Sequence, residues 1–378
     1  MKITFLVGNG FDLGLGLKTS YNDFITDFLS PSSNGAEFES FAWNVLRKVI
    51  EPDIETWSDA EMAFAKLDFY GIFEEYSDKR ASILRLLESF KSDLDAYLKR
   101  EEKKFFPTDL SSVSGQFKAR MIKSLIEGLA AIRGDSVRGN SVAGNIKAYE
   151  RASVNVINFN YTYILDYMFW GSTGRSFDAE FVCNLDDGSE LNLRIGNVHH
   201  VHGSLSAGNT LFGVSSVSQI EDDEARGLAE YSGTLIKSQM DKEENGNQYA
   251  AALQDLRSSD MVVLFGLSFG ASDKLWWHEL VKFVLGKDNK RVHIFPYARD
   301  PNPISTQMGR SLLRYEWRQK LFASIRSELS ESDFSALSEN MDKIVVLPYG
   351  PYTKHKGGSP YGDPWDLSYF SKLVLKDL

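Results

Sequence analysis

The chain has 378 residues, 43% of them hydrophobic and 25% charged, with a formal net charge of −10 and a single cysteine. One cysteine, Cys183, excludes a disulfide framework or a Cys-based zinc site built within the chain, and the acidic balance disfavours a long non-specific grip on nucleic acid. No apolar run approaches the ~20 residues needed to span a bilayer, so no membrane association and a reducing, cytoplasmic setting are expected.

The first element is the apolar run Ile3-Thr4-Phe5-Leu6-Val7, which breaks directly into Gly8-Asn9-Gly10-Phe11-Asp12. With one lysine before it and no small-residue cleavage site, this start reads as folded structure rather than a signal peptide. A buried strand that ends in close glycines offers backbone N–H groups with no side chain in the way. That arrangement holds a pyrophosphate at the edge of an α/β sheet, although a purely steric tight turn leaves the same pattern. After Gly14 and Gly16, a helix is expected to begin at Thr19-Ser20-Tyr21-Asn22-Asp23.

Helical periodicity dominates the next stretch. Phe38, Phe41, Val45 and Val49 repeat along one face, as do Leu84, Leu87, Leu94 and Leu98, and then Phe117, Met121, Leu125 and Leu129. Ser58-Asp59-Ala60-Glu61 has the form of a capping box that starts a helix after Trp57. Arg133 to Gly144, rich in Gly, Ser and Asn, reads as a loop returning the chain to the sheet.

Three more short apolar segments read as buried parallel strands: 154–157, 261–265 and 291–295; residues 193–198 and 343–348 are weaker candidates. The polar stretch at about 219–247 reads as solvated helix faces and a mobile loop. Trp276, Trp277 and His278 fall on an expected helix, as core or a subunit contact. The fold class is therefore α/β. A Rossmann-like parallel sheet is expected from residues 1–35 and 149–378, with an all-helical insertion at 36–148 and no zinc ribbon.

Three later motifs fall where an open α/β sheet places its ligands, beyond the carboxyl ends of strands. They are Asn158-Phe159-Asn160-Tyr161-Thr162, then Val201-His202-Gly203-Ser204-Leu205, then Gly266-Leu267-Ser268-Phe269-Gly270 with Asp273 beyond it. Each alone is compatible with a cap or a turn; together with the first glycine loop, and in this order, they point to one site. His199, His200 and His202 raise a weaker alternative, a histidine metal site. A dehydrogenase pattern fits poorly, because no second strand ending in Asp or Glu follows about 20 residues after the glycines.

The blocks GNGFDLGLGLKTSYNDF, WSDAE, INFNYT, VHGSL and GLSFGASD resemble the AbiH family of bacterial phage abortive-infection proteins. That family is in turn similar to the sirtuin- or DHS-like NAD-binding fold. The resemblance implies a nucleotide held by Gly8, Asn9, Gly10, Phe11, Asp12 and Thr19 and by Gly266, Ser268 and Asp273. It implies Asn160 at the nicotinamide ribose and His202 as the base. Glu61 would lean into the same site, where its plain reading is the capping partner of Ser58. Asp12 departs from the Ser common in sirtuins and must point away from a phosphate, toward the ribose, a backbone turn or Lys18.

Nicotinamide leaves C1′ as a neutral pyridine, so no strong acid is needed; an oriented nucleophile and a base are. The implied function is antiphage NAD hydrolysis to ADP-ribose and nicotinamide, with no resident metal. A phage-derived activator or partner protein and a homo-oligomer are expected controls. The alternatives are a non-catalytic nucleotide-binding sensor, or an enzyme acting on another nucleotide or on nucleic-acid ends.

Overall fold

The computed structural model describes residues 2–30, 40–105, 151–170, 180–184, 190–286, 290–296, 306–326 and 329–346. Seven strands form one sheet: β1 (Lys2–Val7), β2 (Arg151–Asn158), β3 (Glu180–Asn184), β4 (Glu190–His200), β5 (Met261–Phe265), β6 (Arg291–Phe295) and β7 (Ile344–Val346). Their order is β3-β4-β2-β1-β5-β6-β7, and every pairing is parallel except that of β3 with β4. Central β5 is buried at all five positions and β1 at all but Lys2, as apolar runs between two covered faces must be.

The chain steps from β1 to β2 and β4 on one side, then crosses back to β5, β6 and β7 on the other. That reversal at β1 opens a crevice at the carboxyl edge of the parallel strands. One face of the sheet, including Leu6, Ile157, Leu264 and Ile294, packs with Trp276, Trp277 and Leu280 of the helix Lys274–Leu285 and with Tyr249 and Leu256 of the helix Gln248–Ser258. Trp276 and Trp277 are thus core residues, as their plain reading expects.

A second core gathers the helices Tyr21–Phe28, Phe41–Ile50, Ala60–Ala65 and Lys79–Lys103, and Tyr161 and Leu205 of the strand-end loops join it. Phe90 is its hub, with ring centroids 5.3–5.8 Å from Phe24, Phe28, Trp57, Phe64 and Phe212. The Leu84-Leu98 periodicity lies on the Lys79–Lys103 helix, where Leu87, Leu94 and Leu98 are buried and Leu84 partly so.

Two helical readings need correction. In Phe41–Ile50 the buried face is Ala42, Trp43, Leu46 and Ile50, whereas Val49 is exposed and Phe41 and Val45 only flank the core. The Ala60–Ala65 helix is capped by Asp59, which accepts from the Met62 N–H, not by Ser58. Phe38, the 117–129 repeat, the 133–144 loop and residues 347–348 lie outside the described residues. Among the described residues, no helix is long and apolar enough to cross a membrane.

Candidate functional site

The strand register explains why four distant motifs meet. Val7 of β1 lies beside Asn158 of β2 and Phe265 of β5, and Asn158 lies beside His200 of β4. Four adjacent strands end on one line, so the loops 8–20, 159–163, 201–205 and 266–273 emerge side by side. Backbone bonds tie them together: Phe159 N–H donates to Val7 O at 2.9 Å, Leu205 N–H to Tyr161 O at 2.8 Å, and Gly10 N–H to Gly266 O at 2.9 Å. Gly203 sits at φ +70°, where a Cβ would lie 1.9 Å from Asn209 O; only glycine can follow His202 there.

A cavity of about 220 Å³ opens at this edge. Of the residues singled out from sequence, Gly8, Asn9, Asp12, Thr19, Asn160, His202, Gly266, Ser268 and Asp273 line it, and Gly10 and Phe11 do not. Phe11 is buried against Phe265, with ring centroids 6.4 Å apart. Asn9 and Thr19 clasp each other through Asn9 Nδ2 to Thr19 O (2.9 Å) and Thr19 Oγ1 to Asn9 Oδ1 (2.6 Å), which closes the loop on itself. The amide of Gly8 donates to Phe265 O at 2.9 Å. The N–H groups of Gly8 and Gly10 therefore serve loop packing rather than standing open to an anion. A further difference lies just beyond: Gly10–Gly14 forms a short helix, before the expected one, which starts at Tyr21 with Ser20 and Asp23 as its capping box.

Asp12 is almost fully buried, and among the described residues it makes no ion pair with Lys18. Its carboxylate accepts from Thr162 Oγ1 at 2.6 Å and from Asn160 Nδ2 at 3.5 Å. Burial pushes its pKa up to about 7; the Thr162 hydroxyl opposes that rise and the Glu102 carboxylate adds to it. Because Asn160 turns its nitrogen toward Asp12, its Oδ1 is left buried with no partner among the described residues. A buried orphan acceptor on a cavity wall is suited to a hydroxyl or water of a ligand.

His202 Nε2 lies 2.9 Å from Asp273 Oδ1. Burial raises the Asp273 pKa, but Lys237 and His202 outweigh it and hold this carboxyl well below the usual range. An ionised carboxylate only accepts, so Nε2 carries the hydrogen and Nδ1 is the nitrogen left for the cavity. Nδ1 takes no hydrogen bond among the described residues. The resemblance implies Asp273 as a nucleotide contact; in the structure it lines the cavity and its carboxylate accepts from His202.

The same Asp273 oxygen receives Lys237 Nζ at 2.8 Å, and Lys237 Nζ also reaches Glu61 Oε2 at 2.6 Å. Lys237 is fully buried at the start of the helix Lys237–Glu244. Burial alone would lower its pKa, but Asp273 and Glu61 raise it overall, so it is an ammonium. Glu61 accepts also from Tyr161 Oη at 3.1 Å; it is a cavity-wall carboxylate and not the capping partner of Ser58. Asp59 stands on the same wall, its pKa raised by burial and then by Glu61 to about 6.

Lys237 was not legible as a site residue, because it lies in the polar run 219–247. That run is in fact two helices, Asp223–Ser232 and Lys237–Glu244, which bury Asp222, Lys237 and Asp241. Nothing local marks a lysine there as buried; its partners are 176 and 36 residues away. The three clustered histidines go to three separate carboxylates, His199 to Asp255, His200 to Asp166 and His202 to Asp273. Among the described residues no group of three or more His, Cys, Asp or Glu is arranged to hold a metal ion.

Residues 4–295 match the family model described as Bacteriophage abortive infection AbiH. No curated protein matches the chain.

Proposed function

The chain belongs to the AbiH family of bacteriophage abortive-infection proteins, and from that premise we propose that it cleaves NAD to ADP-ribose and nicotinamide. One observation carries the reading: the orphan Asn160 Oδ1 and a His202 with Nδ1 unengaged line the same cavity at the carboxyl edge of the sheet. Asn160 Oδ1 accepts from a water or a ribose hydroxyl. The water oxygen bonds to C1′ as the C1′–N bond breaks. The bonding pair leaves with the nicotinamide ring, which becomes neutral, and the water's proton passes to His202 Nδ1.

Charge supports the same orientation. The wall carries Asp12, Asp59, Glu61 and Asp273 and, among the described residues, no Lys or Arg; the Lys237 ammonium meets Glu61 and Asp273 without lining the cavity. Such a wall favours the cationic pyridinium and the positive charge that grows on the ribose as the bond breaks. The diphosphate then lies toward the exposed Ser268. Restraint of such an activity until infection falls to a phage-derived activator, a partner protein or self-association.

Purified protein incubated with NAD should release nicotinamide, followed by chromatography. A second reading is a nucleotide sensor without catalysis, in which Asp12, held against Thr162 and Asn160, spoils the productive cofactor geometry. ADP-ribose binding measured by calorimetry decides between them: binding without nicotinamide release supports the sensor, and neither binding nor release removes both.

A further inference from the structure

Two nitrogens share one carboxylate oxygen at the end of the cavity. Lys237 Nζ and His202 Nε2 both reach Asp273 Oδ1, at 2.8 and 2.9 Å, and the lysine is anchored from behind by Glu61 at 2.6 Å. A buried carboxylate left alone with an imidazole draws a proton onto it, because an ion pair in a low-dielectric site is poorly screened. An ammonium on the same oxygen removes that pull. We propose that Lys237 is a positioning residue: it engages Asp273 so that the carboxylate orients His202 without protonating it, leaving Nδ1 a base at neutral pH.

The role rests on the NAD-cleavage reading only for its catalytic consequence; the effect on His202 is a property of the unliganded protein. The surrounding ionisable groups are consistent with it. Glu61 and Asp59 face the pair from the helical layer, Tyr161 from the loop after β2, and Tyr249 from the helix Gln248–Ser258. Tyr21, whose hydroxyl meets that of Tyr161 at 3.4 Å, lies one step further out. The two carboxylates among these add negative charge, so the lysine is the group that balances the cluster.

Lys237→Met alone leaves Glu61 and Asp273 uncompensated and is prone to misfold. The test therefore uses Glu61→Gln, Glu61→Gln/Lys237→Met and Glu61→Gln/Lys237→Gln, each checked for folding by circular dichroism. The last keeps an amide donor to Asp273 without its charge. Imidazole resonances are followed against pH by NMR, with His202 assigned by its loss in His202→Asn. The half-protonation point of His202 should rise by about one unit or more in both double variants relative to Glu61→Gln. If the wild type cleaves NAD, the acid limb of its rate profile should move up by the same amount, with ~10-fold less turnover at pH values well down that limb and an unchanged KM. A His202 titration that stays put in either folded double variant overturns the proposal, whether or not NAD is cleaved. Absence of NAD cleavage with a shifted titration overturns the catalytic reading and leaves the lysine's role standing.

Discussion

Gly10 and Gly266 touch backbone to backbone. The Gly10 N–H donates to Gly266 O at 2.9 Å, and a Cβ built on Gly10 would lie 2.5 Å from the Gly266 Cα. Gly266 is further constrained by φ +68°, a conformation that L side chains rarely adopt. The two glycine loops are one packed unit, which is why the loop after β1 and the loop after β5 share a cavity wall.

Gly10→Ala should therefore act on stability and on the site together. Neither loop can yield without breaking the 2.9 Å bond, so overpacking is expected to cost about 1–3 kcal/mol. Urea unfolding should show an earlier midpoint, and calorimetry weaker ADP-ribose binding. An unchanged midpoint would mean that the loops separate freely and the contact is not a constraint.

Asn160 and His202 are the next test. Asn160→Ala removes the orphan acceptor and His202→Ala removes the base, and each should lower nicotinamide release by roughly 10²-fold or more. Both variants should remain folded, as judged by circular dichroism. Full turnover in both folded variants would refute their assignment.

Asp12 should couple stability to pH. Its folded pKa of about 7 lies above the ordinary value of 3.8, so the folded state holds a proton that the unfolded state releases. Stability from this group is present below about pH 4, declines as pH rises through 7, and is flat above that. Asp12→Asn removes the titration and should be more stable than wild type by a few kcal/mol at pH 8, with the gap closing toward pH 4. Urea unfolding of both proteins across that range checks the sign; a gap that widens on acidification contradicts it.

How much of this was legible depended on whether the signal was local. β5 and β6 stand at 261–265 and 291–295, as read, because short apolar runs between two covered faces leave little freedom of register. β3 went unread: Phe181-Val182-Cys183 is too short a run to stand out, and it pairs at the sheet edge. Glu61 misled for the opposite reason. Its spacing from Ser58 fits a cap, yet a lysine 176 residues away captures its side chain. Asp273 stands on the cavity wall, and nothing near it in sequence marks His202 and Lys237 as the groups that share its oxygen. Sequence put the residues at one edge; only tertiary packing determined which of them touch.

His293 gives a second pH signature, of opposite sign, outside the cavity. It sits in β6 with no exposure, and neither ring nitrogen has a hydrogen-bond partner among the described residues. Burial, assisted by the nearby Arg291 charge, lowers its pKa from 6.5 to about 4. The unfolded chain takes up a proton below pH 6.5 that the folded state refuses until about pH 4. Stability is therefore lost as pH falls through that window, by about 3 kcal/mol, and is not changed by this group above it. His293→Leu removes both the titration and a buried polar ring without partners, so it should stabilise at every pH and most below pH 5. Urea midpoints for wild type and variant at pH 5 and pH 8 separate the two contributions. A difference that is equal at both values would show that the ring is already protonated, or partnered, in the folded protein.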